Sequence, residues 1–195
     1  MNKPFFILLL LFLSCNKTKV EENSKVIVLQ PLGNFQTNSA QEVLEKIKEI
    51  NPKVILRKSI DFPADSYYKP RNRFRADSII KYLKTKIGKD SVIVGLTDKD
   101  ISTTKGNHHD WGVMGLGYHP GSACVVSDFR LSNKNKKEQF YKVVLHELGH
   151  TEGLPHCKTK ACIMRDAEGG NPINQEKNFC KNCSNFLRSK NWNLK

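Results

Sequence analysis

The sequence predicts an α/β fold in which helices pack on a mixed β-sheet. Short runs rich in β-branched residues alternate with segments whose apolar residues recur at helical spacing. Two further strand-like runs then follow each other without an intervening helix, and this pair makes the predicted sheet mixed. At 195 residues the chain has the length of one ordinary domain with a substantial core.

Strands and helices alternate through the first half of the domain. Three β-branched runs predict buried strands, namely KVIVLQPLG at residues 25–33, KVILRKSI at 53–60 and SVIVGLT at 91–97. A helix separates the first two strands, with Ser39 and Glu42 as a capping box at its start and Pro52 after its end. Residues 62–75 contain two prolines and predict a loop. Residues 76–87 place their isoleucines and leucine on one face and predict a second helix.

Two strands and one long helix are predicted next. Residues 103–110 are polar and include two adjacent histidines, so they predict a solvated loop. Residues 111–119 and 121–131 predict two strands joined by a turn at the sequence HPG. Residues 134–150 predict the longest helix, because their apolar residues are spaced for burial on one side.

The end of that helix carries the sequence HELGHTEGLPHC, residues 146–157. His146 and His150 lie four positions apart, so both imidazoles leave the same helix face and can bind one zinc ion at about 2.0–2.1 Å. Glu147 can reach a water on that ion without being a ligand. The H-E-x-x-H pattern is typical of zinc peptidases, in which zinc-activated water attacks a peptide carbonyl. Glu147 would be the general base that takes the proton.

A third ligand follows from the residues after the helix. Gly153 can adopt a positive φ, so the chain can turn sharply and return His156 to the metal. The resulting H-E-x-x-H-x-x-G-x-x-H is the metzincin motif. Metzincins also place a methionine beneath the metal, and Met164 is the candidate in this chain. The alternative is that Met164 is ordinary core packing.

Four cysteines continue the cluster as C-x4-C…C-x2-C, and they are Cys157, Cys162, Cys180 and Cys183. This spacing suits a closed tetrahedral zinc site of the structural kind. In an exported protein the same four thiols could instead pair as two disulfides. Either arrangement would staple the C-terminal segment.

The pattern from His146 to Cys183 resembles the archaemetzincin family. The resemblance implies a metzincin-like zincin domain over residues 25–195 and hydrolysis of peptide bonds in peptides or proteins. It also implies two zinc ions per chain, a catalytic one on His146, His150 and His156 and a structural one on the four cysteines. A catalytically silent, zinc-containing peptide-binding module on the cell envelope is the alternative. Glu147 argues against it, because a domain that only holds zinc has no need of that carboxylate.

The first residues predict export and lipid anchoring. Residues 5–13 form an apolar run that is too short to span a bilayer but fits a signal peptide. The sequence FLSC, which ends at Cys15, resembles the lipobox of bacterial lipoproteins. Residues 1–14 would then be removed as the signal peptide, and residues 15–24 would form a lipid-anchored tether. This predicts a membrane-anchored protein of a bacterial cell envelope. A plain secretory signal with an incidental Cys15 is the alternative.

The net charge of +13 raises the question of a nucleic-acid partner. Lysines supply most of the charge, and they are scattered through the predicted helices and loops. No aromatic residues interleave with them as a strand-binding platform requires. Lysines on solvent-exposed faces of the domain, which anionic lipid nearby would favour, explain the positive charge better. We therefore expect no nucleic-acid partner.

Overall fold

A computed structural model describes residues 25–194, which form nine strands and four α-helices. The strands are β1 (Val26–Pro31), β2 (Val54–Leu56), β3 (Tyr67–Tyr68), β4 (Arg73–Arg75), β5 (Ser91–Thr97), β6 (Ile101–Lys105), β7 (His108–Val113), β8 (Gly115–Gly117) and β9 (Ala123–Ser127). The helices are α1 (Thr37–Ile50), α2 (Ala76–Lys84), α3 (Lys136–Glu152) and α4 (Lys181–Arg188). No helix within residues 25–194 has the length and apolar character to cross a membrane. The predicted signal peptide and tether, with Cys15, lie outside the described residues.

The main sheet has the strand order β2-β1-β5-β9-β8. Its first four strands are parallel, whereas β8 runs antiparallel to β9, with Leu116 opposite Val125. This arrangement confirms the predicted mixed sheet. Strand β8 therefore lies at the edge of the sheet, where no other strand of residues 25–194 pairs with its outer side.

A second sheet, in the order β3-β4-β6-β7, occupies both segments predicted as loops, so those two predictions are wrong. Strands β6 and β7 form an antiparallel hairpin that turns at Gly106, where φ is 55°. The outer half of this hairpin is exposed and polar, and it therefore lacks the apolar alternation by which strands are predicted. Trp111 belongs to β7, so the predicted strand 111–119 is divided between two sheets.

Ion pairs join the strands of the second sheet to one another and link this sheet to the loop after β9. Arg73 on β4 places Nε 2.6 Å from the Asp100 carboxylate and Nη1 2.9 Å from Asp110. Arg130, in the loop after β9, donates to the same Asp100 at 2.8 Å. Phe74, Ile101 and Val113 of this sheet also pack against the apolar core around α2, so charged pairs and apolar contacts together link the sheet to the rest of the domain.

Helices pack on the main sheet, as predicted, and they cover both of its faces. Because successive side chains of a strand point to opposite faces, Ile27 and Leu29 of β1 pack with α1 and α3, whereas Val28 packs with α2. The predicted capping box is wrong, since α1 begins at Thr37, two residues before Ser39, and no side chain caps it. The long helix α3 runs along the main sheet towards its β8 edge, where it presents the histidine motif.

Candidate metal centre and active site

The three motif histidines come together at the C-terminal end of α3. His146 and His150 leave one face of the helix, and the helix ends at Gly153, which has a φ of 110°. This left-handed residue lets the chain turn back, so that ligand atoms of His146, His150 and His156 all lie within 4.8 Å of one another. The Nε2 atoms of His146 and His150 are 3.0 Å apart.

Each of these imidazoles has an acceptor at its other nitrogen, Nδ1. The acceptors are the Ile163 carbonyl for His146 at 2.6 Å, the Leu154 carbonyl for His150 at 2.7 Å and the Asp166 carboxylate for His156 at 3.3 Å. Carbonyl oxygens only accept, so Nδ1 of His146 and Nδ1 of His150 each donate a hydrogen. In His146 and His150 the lone pair of the neutral ring is therefore on Nε2, as a histidine that binds a metal through Nε2 requires.

The electrostatics of the pair fit a bound cation. Burial is the main reason that the pKa of His146 is lowered to about 4 and that of His150 to about 3, and the charges of neighbouring histidines contribute to both shifts. Two neutral rings thus face each other with lone pairs on nitrogens 3.0 Å apart. A tetrahedral zinc ion with Zn–N bonds of about 2.05 Å would set two nitrogens about 3.3 Å apart, close to this separation. The residues present therefore fit zinc.

Glu147 lies buried beside the histidines, against strand β8. A Cβ built on Gly115 would stand 2.5 Å from Glu147 Oε1, and one on Gly117 would stand 3.2 Å from Oε2. The backbone N–H of Gly117 donates to the Glu147 carboxylate. Without a cation nearby, burial raises the pKa of Glu147 to about 8. The two glycines leave room for the carboxylate between helix and strand.

Met164 packs beneath the helix that carries the histidines. Its side chain is fully buried, and a Cβ built on Gly149 would lie 2.5 Å from its sulfur. Its backbone carbonyl accepts from the Cys157 N–H at 2.7 Å, and the carbonyl of the preceding Ile163 holds His146. The segment around Met164 therefore supports the histidine cluster, as the predicted methionine turn would.

The four cysteines form a second cluster next to the first. Their sulfurs lie within 4.8 Å of one another, and all four thiols are free. The Cys157 and Cys180 sulfurs are 3.7 Å apart, far longer than an S–S bond of about 2.05 Å. A zinc ion with Zn–S bonds of about 2.3 Å would set two sulfurs about 3.8 Å apart. The backbone N–H of Cys183 donates to Cys180 and lowers the pKa of that thiol to about 7, which favours a thiolate.

A cleft of about 770 Å³ opens in front of the histidines, and both sheets line it. Tyr118 and His119, which the sequence could not place, lie in its wall. The Tyr118 hydroxyl donates to Asp77 at the start of α2 at 2.5 Å, and the His119 ring centre is 5.6 Å from that of His150. His108, on the exposed outer hairpin of the second sheet, is not among the residues that line the cleft.

Two parts of the site escaped the sequence analysis. The Asp166 carboxylate lies 3.3 Å from Nδ1 of His156, and its position two residues after Met164 is the signal that could have indicated it. Gly115 and Gly117 accommodate Glu147, and a strand with glycine at alternate positions facing a buried carboxylate was the available signal.

Comparison with known proteins extends the similarity beyond the motif. A model of peptidase family M54 matches residues 23–189. The archaemetzincin of Nanoarchaeum equitans is 34% identical over 153 residues, covering 78% of this chain and 84% of that protein. The crystal structure of the archaemetzincin from Methanopyrus kandleri has a TM-score of 0.73 at 26% identity and covers 88% of this chain and 98% of that one. The archaemetzincin structure from Archaeoglobus fulgidus, complexed with malonate, has a TM-score of 0.70 at 25% identity and covers 82% of this chain and 98% of that one.

Proposed function

Because the chain belongs to peptidase family M54, the archaemetzincins, and is a zinc metallopeptidase, we propose that Glu147 is the general base with which it cleaves peptide bonds. Family membership confirms the resemblance seen in the motif. The observation that carries the proposal is a buried carboxylate beside three imidazoles that each offer one ring nitrogen to a common point. A zinc ion on His146, His150 and His156 would supply the Lewis acidity that activates water and polarises the substrate carbonyl.

The residues of the chain would then handle the proton. The Glu147 carboxylate accepts a proton from the attacking water and delivers it to the amine that leaves. The hydrogen bond from the Gly117 N–H and the tight space beside Gly115 position the Glu147 carboxylate between α3 and β8. Strand β8 borders the same cleft and has an unpaired edge, to which an extended substrate peptide could add by backbone hydrogen bonds.

Replacement of Glu147 tests this role. Glu147→Gln keeps the shape and removes the base, so zinc-loaded protein should lose about 100- to 10,000-fold in kcat/KM on a mixed peptide library read by mass spectrometry. Wild-type protein treated with chelator is the matching control for the metal. Equal turnover by Glu147→Gln would remove the general base. Zinc-loaded wild type that binds peptides but never cleaves them would favour the silent binding module.

We propose that Cys157, Cys162, Cys180 and Cys183 hold a second, structural zinc ion. The 3.7 Å sulfur separation supports this, as does the Cys180 N–H that donates to the Cys162 sulfur at 3.2 Å. Elemental analysis of purified protein tests it, with two zinc ions per chain expected. One zinc ion together with four oxidised thiols would instead establish two disulfides.

We further propose that the enzyme is anchored by a lipid on Cys15 to a bacterial cell-envelope membrane. The apolar run at residues 5–13 and the sequence FLSC support this proposal. Metabolic labelling with a fatty-acid probe should mark the wild type and not Cys15→Ala. An unlabelled wild type would refute the anchor and leave the peptidase proposal untouched.

A further inference from the structure

The wall of the cleft beside α3 is fixed by a buried lysine. Lys142 lies four residues before His146, so it projects from the same helix face about 6 Å further along the axis. Its ammonium donates to the backbone carbonyls of Ile173 at 3.3 Å and Glu176 at 2.7 Å, and pairs with Glu138 at 2.8 Å. The three N–H groups are therefore used, and they anchor the segment from Ile173 to Glu176 about one helical turn from the histidines.

The side chain of Glu176 lines this part of the cleft although the residue is only 5% exposed. Among the described residues no lysine, arginine or histidine nitrogen forms an ion pair with its carboxylate. Arg165, the other cation near it, donates to the side chain of Gln175 at 2.8 Å. Burial raises the pKa of Glu176 to about 7, and this effect outweighs the opposing effect of the nearby Lys142 and Arg165 charges.

A buried carboxylate that forms no direct ion pair is unfavourable, and a ligand that brings a cation into contact with it reduces this penalty. Val143 and Ile173 line the same region with apolar surface, which suits the aliphatic stem of a long basic side chain. We propose that Glu176 is a specificity-determining residue that binds the ammonium or guanidinium group of a substrate lysine or arginine near the scissile bond. This inference rests on the proposed peptidase function, because it assigns a subsite in the same cleft.

The Glu176 side chain does not take part in the contact that holds this segment to α3, because Lys142 donates to the backbone carbonyl of Glu176. Glu176→Gln should therefore remove the charge and leave the wall in place. The control is Glu168→Gln, which removes an exposed carboxylate that lines the same cleft. Thermal unfolding of both variants shows whether the fold is retained. Glu176→Asp, which keeps the charge, provides a second variant should the glutamine variant unfold.

The experiment first finds, in the peptide library, the position at which lysine or arginine is enriched in wild-type products. Peptides with lysine or the uncharged norleucine at that position are then compared. We expect the wild type to prefer lysine by about 10- to 100-fold in kcat/KM, the range for a hydrogen bond to a charged group. Glu176→Gln should abolish the preference, whereas Glu168→Gln should keep it.

A binding measurement separates this inference from the peptidase proposal. Labelled lysine and norleucine peptides are titrated by fluorescence anisotropy into zinc-loaded Glu147→Gln protein, alone and combined with Glu176→Gln. The same preference is expected in Kd, and Glu176→Gln should remove it. A wild type without preference for a basic residue, or an equal preference in Glu176→Gln, would overturn the assignment. Selective binding without any cleavage by the wild type would refute the peptidase proposal alone.

Discussion

The contact between Glu147 and strand β8 predicts that one methyl group can inactivate the enzyme without unfolding it. A Cβ built on Gly115 would lie 2.5 Å from Oε1, 2.7 Å from Cγ and 2.8 Å from Cδ of Glu147. Ordinary contact begins at 3.4 Å, so in Gly115→Ala the carboxylate must move by about 0.9 Å. The end of a flexible side chain can make this movement, so we expect little change in the melting temperature.

The same movement is large for a group that transfers a proton. A misplacement of about 1 Å in a catalytic group lowers the rate about 100-fold, which corresponds to about 2.7 kcal/mol in the activation free energy. We therefore expect kcat of Gly115→Ala to fall about 100-fold while KM stays close to that of the wild type. Steady-state hydrolysis of one library-derived peptide measures both constants, and zinc analysis of the same samples establishes that the metal is retained.

Gly88→Ala is the matched control, because a Cβ built on Gly88 meets nothing within 4 Å. It should keep both kinetic constants. If Gly115→Ala kept the wild-type kcat, the position of the Glu147 carboxylate would not limit catalysis. A rise in KM with constant kcat would also refute this reasoning, because it would mean that the methyl group obstructs substrate and leaves the base in place.

Two further predictions concern the metal and the pH dependence. Asp166→Asn should weaken zinc binding at the histidines about 10-fold in a chelator competition, because the Asp166 carboxylate lies beside Nδ1 of His156 and supports that ligand. The control Glu168→Gln should leave the zinc affinity unchanged. Equal zinc affinities of Asp166→Asn and the wild type would contradict a role of Asp166. Because the pKa of Glu176 is raised to about 7, the preference for lysine over norleucine should be lost as the pH falls from about 8 to about 6, where the carboxyl takes up a proton. The charged groups that face the Glu176 carboxyl are Lys142 and Arg165. The measured quantity is the ratio of kcat/KM for the lysine peptide to that for the norleucine peptide, so the titration of groups that affect both peptides cancels. A wild-type ratio that does not change with pH would contradict the prediction.

Much of the fold followed from local pattern. The β-branched runs that became β1 and β5 and the apolar-periodic segments that became α1, α2 and α3 were evident because each buries one face or is buried outright. The second sheet was not predicted, since its strands are short, polar and held by ion pairs such as that between Arg73 and Asp100. Such pairs join residues far apart in the chain, and no sequence periodicity marks them.

The candidate metal ligands were predictable for a different reason. His146, Glu147 and His150 share one helix, and Gly153 and His156 follow within six residues, so their mutual arrangement depends on local backbone geometry alone. The cysteines were predictable as a group because thiols at these spacings have few other uses. By itself, the sequence therefore determined the type of metal chemistry and the residues proposed to bind zinc.

Tertiary structure alone decided what surrounds those residues. Gly115 reaches Glu147 because β8 and α3, which lie far apart in sequence, pack side by side. Glu176 faces the cleft because a lysine on α3 captures the backbone of a segment that lies 34 residues further along the chain. The position of the base and the charge of the substrate pocket depend on such long-range contacts, whose energies arise only when the chain has packed.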